Sequence, residues 1–291
     1  LGDGTAVNHS LPVEIDLGGV RVSQIEGGIG HSVLLTTDGD VYAWGQNNYG
    51  QAGDNTTTRR TAPAKVAGIF EGKTFVQISS GDNYSLALSE NGQVYAWGYN
   101  NYSQLGDNTT GNKVLPVAVD ASGDLSGKRV ERISAGATHA VVSASDGNMY
   151  AWGYNNNGQL GDASTTIRRV PVKVYADGLF SGKIASEVDA GANYSTTLTV
   201  DGRIYAWGYN GNGQYGNGNL NSYSQPRVGA DLNYTKIPTI VFVDGLGEEH
   251  ELENVSFVNG QTMTGTTPAH DAEKVDVKLT NYDEQSGVLA D

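Results

Sequence analysis

Through most of this chain apolar residues fall in short runs, each ended by a glycine-bearing turn, and no window repeats them at the helical period. The runs are of four kinds that recur in order. The first kind is Leu11–Ile15, then Ala62–Val66, Leu115–Val119, Val170–Val174 and Gln225–Val228. The second closes on small residues, as Ile25-Glu26-Gly27-Gly28, Ile78-Ser79-Ser80-Gly81, Ile133-Ser134-Ala135-Gly136 and Val188-Asp189-Ala190-Gly191. The third is His31–Thr36, Tyr84–Ser89, His139–Ala144 and Tyr194–Thr199, and the fourth is Val41–Gly45, Val94–Gly98, Met149–Gly153 and Ile204–Gly208. Between third and fourth stand Asp38-Gly39, Asn91-Gly92, Asp146-Gly147 and Asp201-Gly202. Such pairs between apolar runs are the strongest short-range hairpin signals a sequence carries. Each repeat therefore predicts four short antiparallel strands.

All four tryptophans sit in the fourth run, as Trp44, Trp97, Trp152 and Trp207, at spacings of 53, 55 and 55 residues. A period of this size marks blades, solenoids or arrays. Four strands per period is the arithmetic of an all-β propeller blade. A residue in strict register with the fold is more often a packing wedge than an exposed anchor, so the tryptophans are read as structural. The glycines after the second run are read as allowing backbones to crowd at the narrow end of each blade.

Composition sharpens this picture. There are 40 glycines in 291 residues, as expected of many tight turns, and no cysteine, which removes disulfides, thiolate metal sites and thiol nucleophiles. The net charge of -14 argues against nucleic acid as a partner. No apolar run approaches the length of a membrane span, and no signal peptide is visible at Leu1. The charge is uneven: residues 1–235 hold 21 acidic and 15 basic side chains, and residues 236–291 hold 11 and 3. A domain boundary is expected near Tyr234–Pro238.

The pattern of Gly-x-x-His/Tyr-Ser, Asp-Gly, Tyr-Ala-Trp-Gly-x-Asn and Gly-Gln-Leu-Gly-Asp resembles the regulator of chromosome condensation repeat family over residues 1–230. The resemblance implies a β-propeller, commonly of seven blades. Leu1-Gly2-Asp3 matches Leu105-Gly106-Asp107 and Leu160-Gly161-Asp162, so the chain opens just after a missing tryptophan strand. Four complete strand sets and an unpartnered fifth first-type strand, Gln225–Val228, are expected. A seven-bladed ring at this period needs about 380 residues, so the chain reads as part of a longer protein whose open blade edges invite self-association. In residues 236–291, Val255–Val258, Met263–His270 and Val275–Asn281, with Gln285-Ser286-Gly287, resemble part of an IPT/TIG immunoglobulin-like β-sandwich, with His270 as a turn residue.

Catalytic chemistry is not found. His31 and His139 share a register position with Tyr84 and Tyr194, so that position serves packing or a hydrogen bond. Asp54, Asp107 and Asp162 recur, with Asn217 in the fourth repeat; aspartates favour turns, and the dense acidic loop of a strong calcium site is lacking. No phosphate loop or nucleophile elbow is present. The chain is therefore expected to be no enzyme, with no cofactor and no metal.

The loops after the tryptophans are more informative. They carry Tyr49, Tyr99 with Tyr102, Tyr154 with Asn157, and Tyr209 with Asn212, all emerging on one propeller face. Tyrosine supplies rigid apolar area and asparagine adaptable hydrogen bonds, the chemistry of binding loops. The plainer alternative is that asparagine and glycine satisfy tight turns while tyrosine packs on the next blade. Arg59-Arg60 and Arg168-Arg169 either meet an acidic partner or balance local charge. The expected function is a bacterial surface or secreted binding protein that presents these loops to a protein or glycan. The alternatives are an inhibitor similar to the propeller-type β-lactamase inhibitory protein and a guanine-nucleotide exchange factor.

Overall fold

In a computed structural model of the chain, backbone and side chains are described for residues 1–70, 72–175 and 180–229, and the backbone alone for six strands between residues 240 and 289. The described part is all-β, and within residues 1–229 it holds four four-stranded antiparallel sheets, each a simple meander. The first comprises β1 (Val22–Gly27), β2 (His31–Thr36), β3 (Val41–Gly45) and β4 (Arg60–Lys65). The second comprises β5 (Phe75–Ser80), β6 (Tyr84–Ser89), β7 (Val94–Gly98) and β8 (Lys113–Ala118). The third comprises β9 (Val130–Ala135), β10 (His139–Ala144), β11 (Met149–Gly153) and β12 (Arg168–Lys173). The fourth comprises β13 (Ala185–Ala190), β14 (Tyr194–Thr199), β15 (Ile204–Gly208) and β16 (Tyr223–Val228).

These are propeller blades, and their phase corrects the sequence reading. The run expected to open each repeat instead closes the preceding blade: Ala64 in β4 pairs with Ala43 in β3, and Arg227 in β16 pairs with Ala206 in β15. Gln225–Val228 is therefore no orphan but the outer strand of the fourth blade. Leu11–Ile15 forms no strand. A repeat fixes the period of a pattern and leaves its phase open. What sets the phase here is hydrogen bonding, because the edge of each tryptophan strand is satisfied by the chain that folds back after the long loop.

The core lies between blades. One apolar cluster joins Val33, Leu35 and Val41 of the first blade to Ile78, Tyr95 and Trp97 of the second, and two further clusters join the second blade to the third and the third to the fourth. Strands β6 and β10 are buried at every position, which is why they read as continuous apolar runs and not as alternation. The outer sides of the array are different. Ile25 is 60% exposed where Ile78 and Ile133 in the same register are at most 2%, and Leu198 is 40% exposed where Leu35 and Leu88 are at most 3%.

The inner strands touch one another through the expected glycines. A Cβ on Gly81 or Gly136 would lie 2.4 Å from the carbonyl oxygen of Gly136 or Gly191 on the following blade, so only glycine permits this approach. A second glycine launches the loops. Gly45, Gly98, Gly153 and Gly208 follow the tryptophans at φ between 97° and 102°, and a Cβ there would meet the carbonyl oxygens of residues 30, 83, 138 and 193 at 2.5 to 2.7 Å.

In the tail, β17 (Ile240–Val243), β18 (Glu249–Glu251), β21 (Asp276–Thr280) and β22 (Ser286–Leu289) form an antiparallel sheet in the order β18-β17-β21-β22, and β19 (Glu253–Asn259) pairs with β20 (Thr262–Thr266). Strands β19, β20 and β21 fall on the three runs of the IPT/TIG-like segment, and β22 covers its closing Ser286-Gly287. Its remainder, His270 included, lies outside the described residues.

Candidate binding face

The loops that join second-last to last strand are built on a buried polar floor that recurs in every blade. Asn47, Asn100, Asn155 and Asn210 are fully buried. Each side-chain amide donates to two loop carbonyls, in Asn100 those of Thr109 at 3.1 Å and Gly111 at 3.2 Å, and its oxygen accepts the N–H of Leu105 at 3.0 Å. Asn47, Asn155 and Asn210 repeat this set. One asparagine thus replaces the backbone ladder that an irregular loop lacks. These residues were missed as site-forming, although the signal was present: asparagine stands two residues after the loop glycine in all four repeats.

A second set of contacts fixes the loop tips. Gln51, Gln104, Gln159 and Gln214 accept the backbone N–H of Tyr49, Tyr102, Asn157 and Asn212 at 2.9 to 3.0 Å. The tryptophan of the following blade holds the glutamine in turn. Trp97, Trp152 and Trp207 donate to the carbonyls of Gln51, Gln104 and Gln159 at 2.8 to 2.9 Å, and Trp44 to that of Leu1 at 3.2 Å. All four indoles are at most 3% exposed.

The recurrent aspartates also serve the loops. Asp54 pairs with Arg60, Asp107 with Lys113 at 3.2 Å and Asp162 with Arg168 at 2.7 Å. For Asp107, partial burial pushes the carboxyl up, and hydrogen bonds from Thr109 and Lys113 more than offset this and hold it below its ordinary value. Asp54 and Asp162 behave alike. In the fourth blade both members change together, to Asn217 and Tyr223, and Tyr215 closes the loop by donating to the carbonyl of Gly208 at 2.7 Å. Among the described residues no three acidic or histidine side chains gather as metal ligands.

Nearer the axis, His31 Nε2 lies 2.9 Å from Ser85 Oγ and His139 Nε2 2.9 Å from Ser195 Oγ. Both rings are buried, and burial lowers their pKa to about 4 and about 3. Tyr84, in the same register, donates its hydroxyl to the carbonyl of His139 on the next blade. These contacts cross between blades.

Above the pinned floor the tyrosines meet. Tyr49 packs on Tyr99 at 4.8 Å between ring centroids, Tyr99 on Tyr102 at 6.2 Å, and Tyr102 on Tyr154 at 5.0 Å. Four of the seven sequence-predicted loop residues thus form one ridge across three blades. The inner loops lie on the same face, since the N–H groups of Tyr99, Tyr154 and Tyr209 bond the carbonyls of Asn83, Thr138 and Asn193. Tyr209 is 36% exposed over Gly211, and Asn157 and Asn212 continue the face without joining the ridge. The arrangement offers a rigid, half-exposed aromatic surface.

The sequence signature of the RCC1-like domain matches residues 1–251. The Arabidopsis thaliana Ultraviolet-B receptor UVR8 is 31% identical over 220 residues, which are 75% of this chain and 48% of the receptor. The chain thus spans about half the length of that relative. Human E3 ubiquitin-protein ligase HERC2 is 31% identical over 240 residues, 81% of this chain and 5% of the ligase. Among solved structures, Prp20p of Saccharomyces cerevisiae superposes with a TM-score of 0.62 at 20% identity, covering 75% of this chain and 52% of Prp20p. The ligase match overturns the expectation that the chain is no enzyme. Repeats of this kind occur within a named enzyme, so the lack of a catalytic constellation in them is no ground for that exclusion.

Proposed function

The chain belongs to the RCC1-like domain family, and from that membership we propose that it is a protein-binding propeller that docks its partner on the tyrosine-bearing loop face. The observation that carries this reading is the ridge Tyr49–Tyr99–Tyr102–Tyr154, half-exposed on loops whose backbone is held by buried asparagine and glutamine. Tyrosines on a preorganised backbone give contact area at little entropic cost, because the loops lose no freedom when they bind. Asn157, Tyr209 and Asn212 extend the same surface. Prp20p, which shares the fold, is described by its binding to Gsp1p and histones, and this supports a protein in preference to a glycan.

The finer reading is a surface-exposed or secreted bacterial protein. It is supported by the lack of cysteine and by the tail segment, whose sequence resembles an IPT/TIG unit and would act as a spacer beyond residue 235. The exposed outer sides around Ile25 and Leu198 favour coverage by another subunit or further blades.

The test places a photo-crosslinking side chain at Tyr102, or at Glu90 on the opposite face, and exposes each protein to host extract and culture fluid. A partner captured from Tyr102 and not from Glu90 is expected. Equal capture from both positions, or capture from Glu90 alone, overturns the assignment of the face.

A further inference from the structure

The segments that carry the tyrosine ridge also carry cations. The four loops that follow the tryptophan strands, together with the opening residues of the strands they lead into, hold five cations, Arg59, Arg60, Lys113, Arg168 and Arg169, against three carboxylates, in a chain whose net charge is -14. Arg60, Lys113 and Arg168 are each used by the aspartate of their own loop. Arg59 and Arg169 are not. Both are exposed, and neither side chain makes an ion pair or hydrogen bond among the described residues. Arg169 is also tied by its backbone to the loop that carries Tyr102, since its carbonyl accepts the N–H of Asn108 at 3.0 Å. One acid, Asp82, lies on the inner loops of this face, and burial raises its carboxyl pKa and so disfavours its charged form.

Resting on the reading of this face as the docking surface, we propose that its occupant is an extended acidic segment of a partner protein, laid along Tyr49, Tyr99, Tyr102 and Tyr154 with its carboxylates toward Arg59 and Arg169. An extended chain rises about 3.3 Å per residue, so about five residues cover the three ring-to-ring steps of 4.8, 6.2 and 5.0 Å. The rings supply contact area at every second or third residue. The two unpaired guanidiniums select the charge, and they do so against the repulsion that the rest of this acidic chain exerts on the same segment. The pinned loops keep both sets of groups in place before the partner arrives.

The experiment uses the whole chain and three fluorescent peptides, each about ten residues long. One alternates glutamate with proline, one glutamine with proline, and one lysine with proline. Anisotropy titration is expected to show the acidic peptide binding at least about tenfold more tightly than the other two, with that preference lost at high salt. The double variant Arg59→Ser/Arg169→Ser should lose about tenfold for the acidic peptide alone, and Tyr102→Ala should weaken it without changing Tm. The proposal is overturned if the neutral or basic peptide binds as well, if the double variant keeps the acidic preference, or if none of the peptides binds. It is overturned in favour of a second copy if the chain alone sediments as a dimer that the double variant dissociates, since residues 236–291 carry 11 acidic and 3 basic side chains. Crosslinking from Tyr102 that persists without a charge preference removes only the acidic occupant. Loss of both removes the docking face as well.

Discussion

Asn100 and Tyr102 stand two residues apart in one loop and do different work. Asn100 is fully buried and holds three backbone groups; Tyr102 is 39% exposed and its side chain touches only other tyrosine rings among the ring contacts described. Every blade repeats this division between a polar floor that shapes the loop and a rim that faces outward. The floor keeps its residue type through all four repeats, whereas the rim varies from Tyr49 and Tyr102 to Asn157 and Asn212. A position bound by several hydrogen bonds tolerates one side chain, and a position bound by none is open to selection for a partner.

The sharpest way to break this division is to truncate the floor. Asn100→Ala leaves the N–H of Leu105 and two loop carbonyls unsatisfied in a buried site, and is expected to cost about 3 to 5 kcal/mol in urea unfolding. Tyr102→Ala in the same assay should cost less than about 1 kcal/mol. Equal losses would show that the rim is structural.

Acid should act on the buried histidines nearer the axis before it acts on the loop aspartates. An unfolded histidine binds a proton near pH 6.5, but folded His31 holds none until about pH 4 and His139 none until about pH 3. The unfolded chain therefore carries more protons between these limits, and stability falls as pH drops from about 6.5 toward 4, by about 3 kcal/mol per histidine at most. Among the described residues the Nδ1 atoms of both rings have no hydrogen-bond partner, so a proton placed there would be buried. The aspartates act in a lower window, because their depressed folded pKa means that their contribution is lost only as pH falls below the ordinary carboxylate value and through the folded one. His31→Tyr and His139→Tyr install the residue that Tyr84 and Tyr194 already carry in this register. They should flatten the stability profile between pH 6.5 and 4. An unchanged profile in the double variant would assign the acid limb elsewhere.

A smaller effect links floor to rim. Trp152 donates to the carbonyl of Gln104, and Gln104 accepts the N–H of Tyr102. Trp152→Phe keeps most of the wedge and removes the donor, at a cost of about 1 to 2 kcal/mol. Hydrogen exchange at the Tyr102 amide should accelerate more than at Tyr209, whose N–H bonds the carbonyl of Asn193 instead. Uniform acceleration at both would mean that the indole supports packing alone.

Much of the floor was legible in the sequence because it is periodic. The tryptophan strands, the Asp-Gly hairpins and the crowded glycines recur once per blade and declare their spacing. The phase was not legible, because Ala62–Val66 has the same composition whether it opens one blade or closes another. The pins were half legible: Gly-x-Asn stands in every repeat, yet its partners are loop carbonyls up to 11 residues away, and the Trp152–Gln104 contact spans 48 residues and two blades. The ridge could be read as a set of tyrosines on one face, and not as rings in contact. That contact depends on how far each blade rotates from the last. The exclusion of enzymes failed for a different reason: a search for catalytic residues in one segment tests that segment's chemistry and not the class of protein that contains it.

The least effect on folding and the largest on binding should come from the rim. Tyr49→Ala, Tyr102→Ala and Asn157→Ala together remove side chains at the tips of three successive blades, while Gln51, Gln104 and Gln159 still accept the same backbone N–H groups. The loop backbone should therefore persist, and the summed loss in stability should stay near 1 kcal/mol, since the ring contacts removed are partly solvent-exposed. Partner affinity should fall by about tenfold or more, because truncated tyrosines at the centre of an interface carry most of its energy. Circular dichroism melts and partner titrations on the same preparation separate the two effects. A large drop in Tm would mean that the tyrosines buttress neighbouring blades, and an intact affinity would move the docking surface off these loops. If instead the melt holds and affinity is lost, a floor selected for shape and a rim selected for a partner are separate layers within one loop of 14 residues, the length that joins β3 to β4.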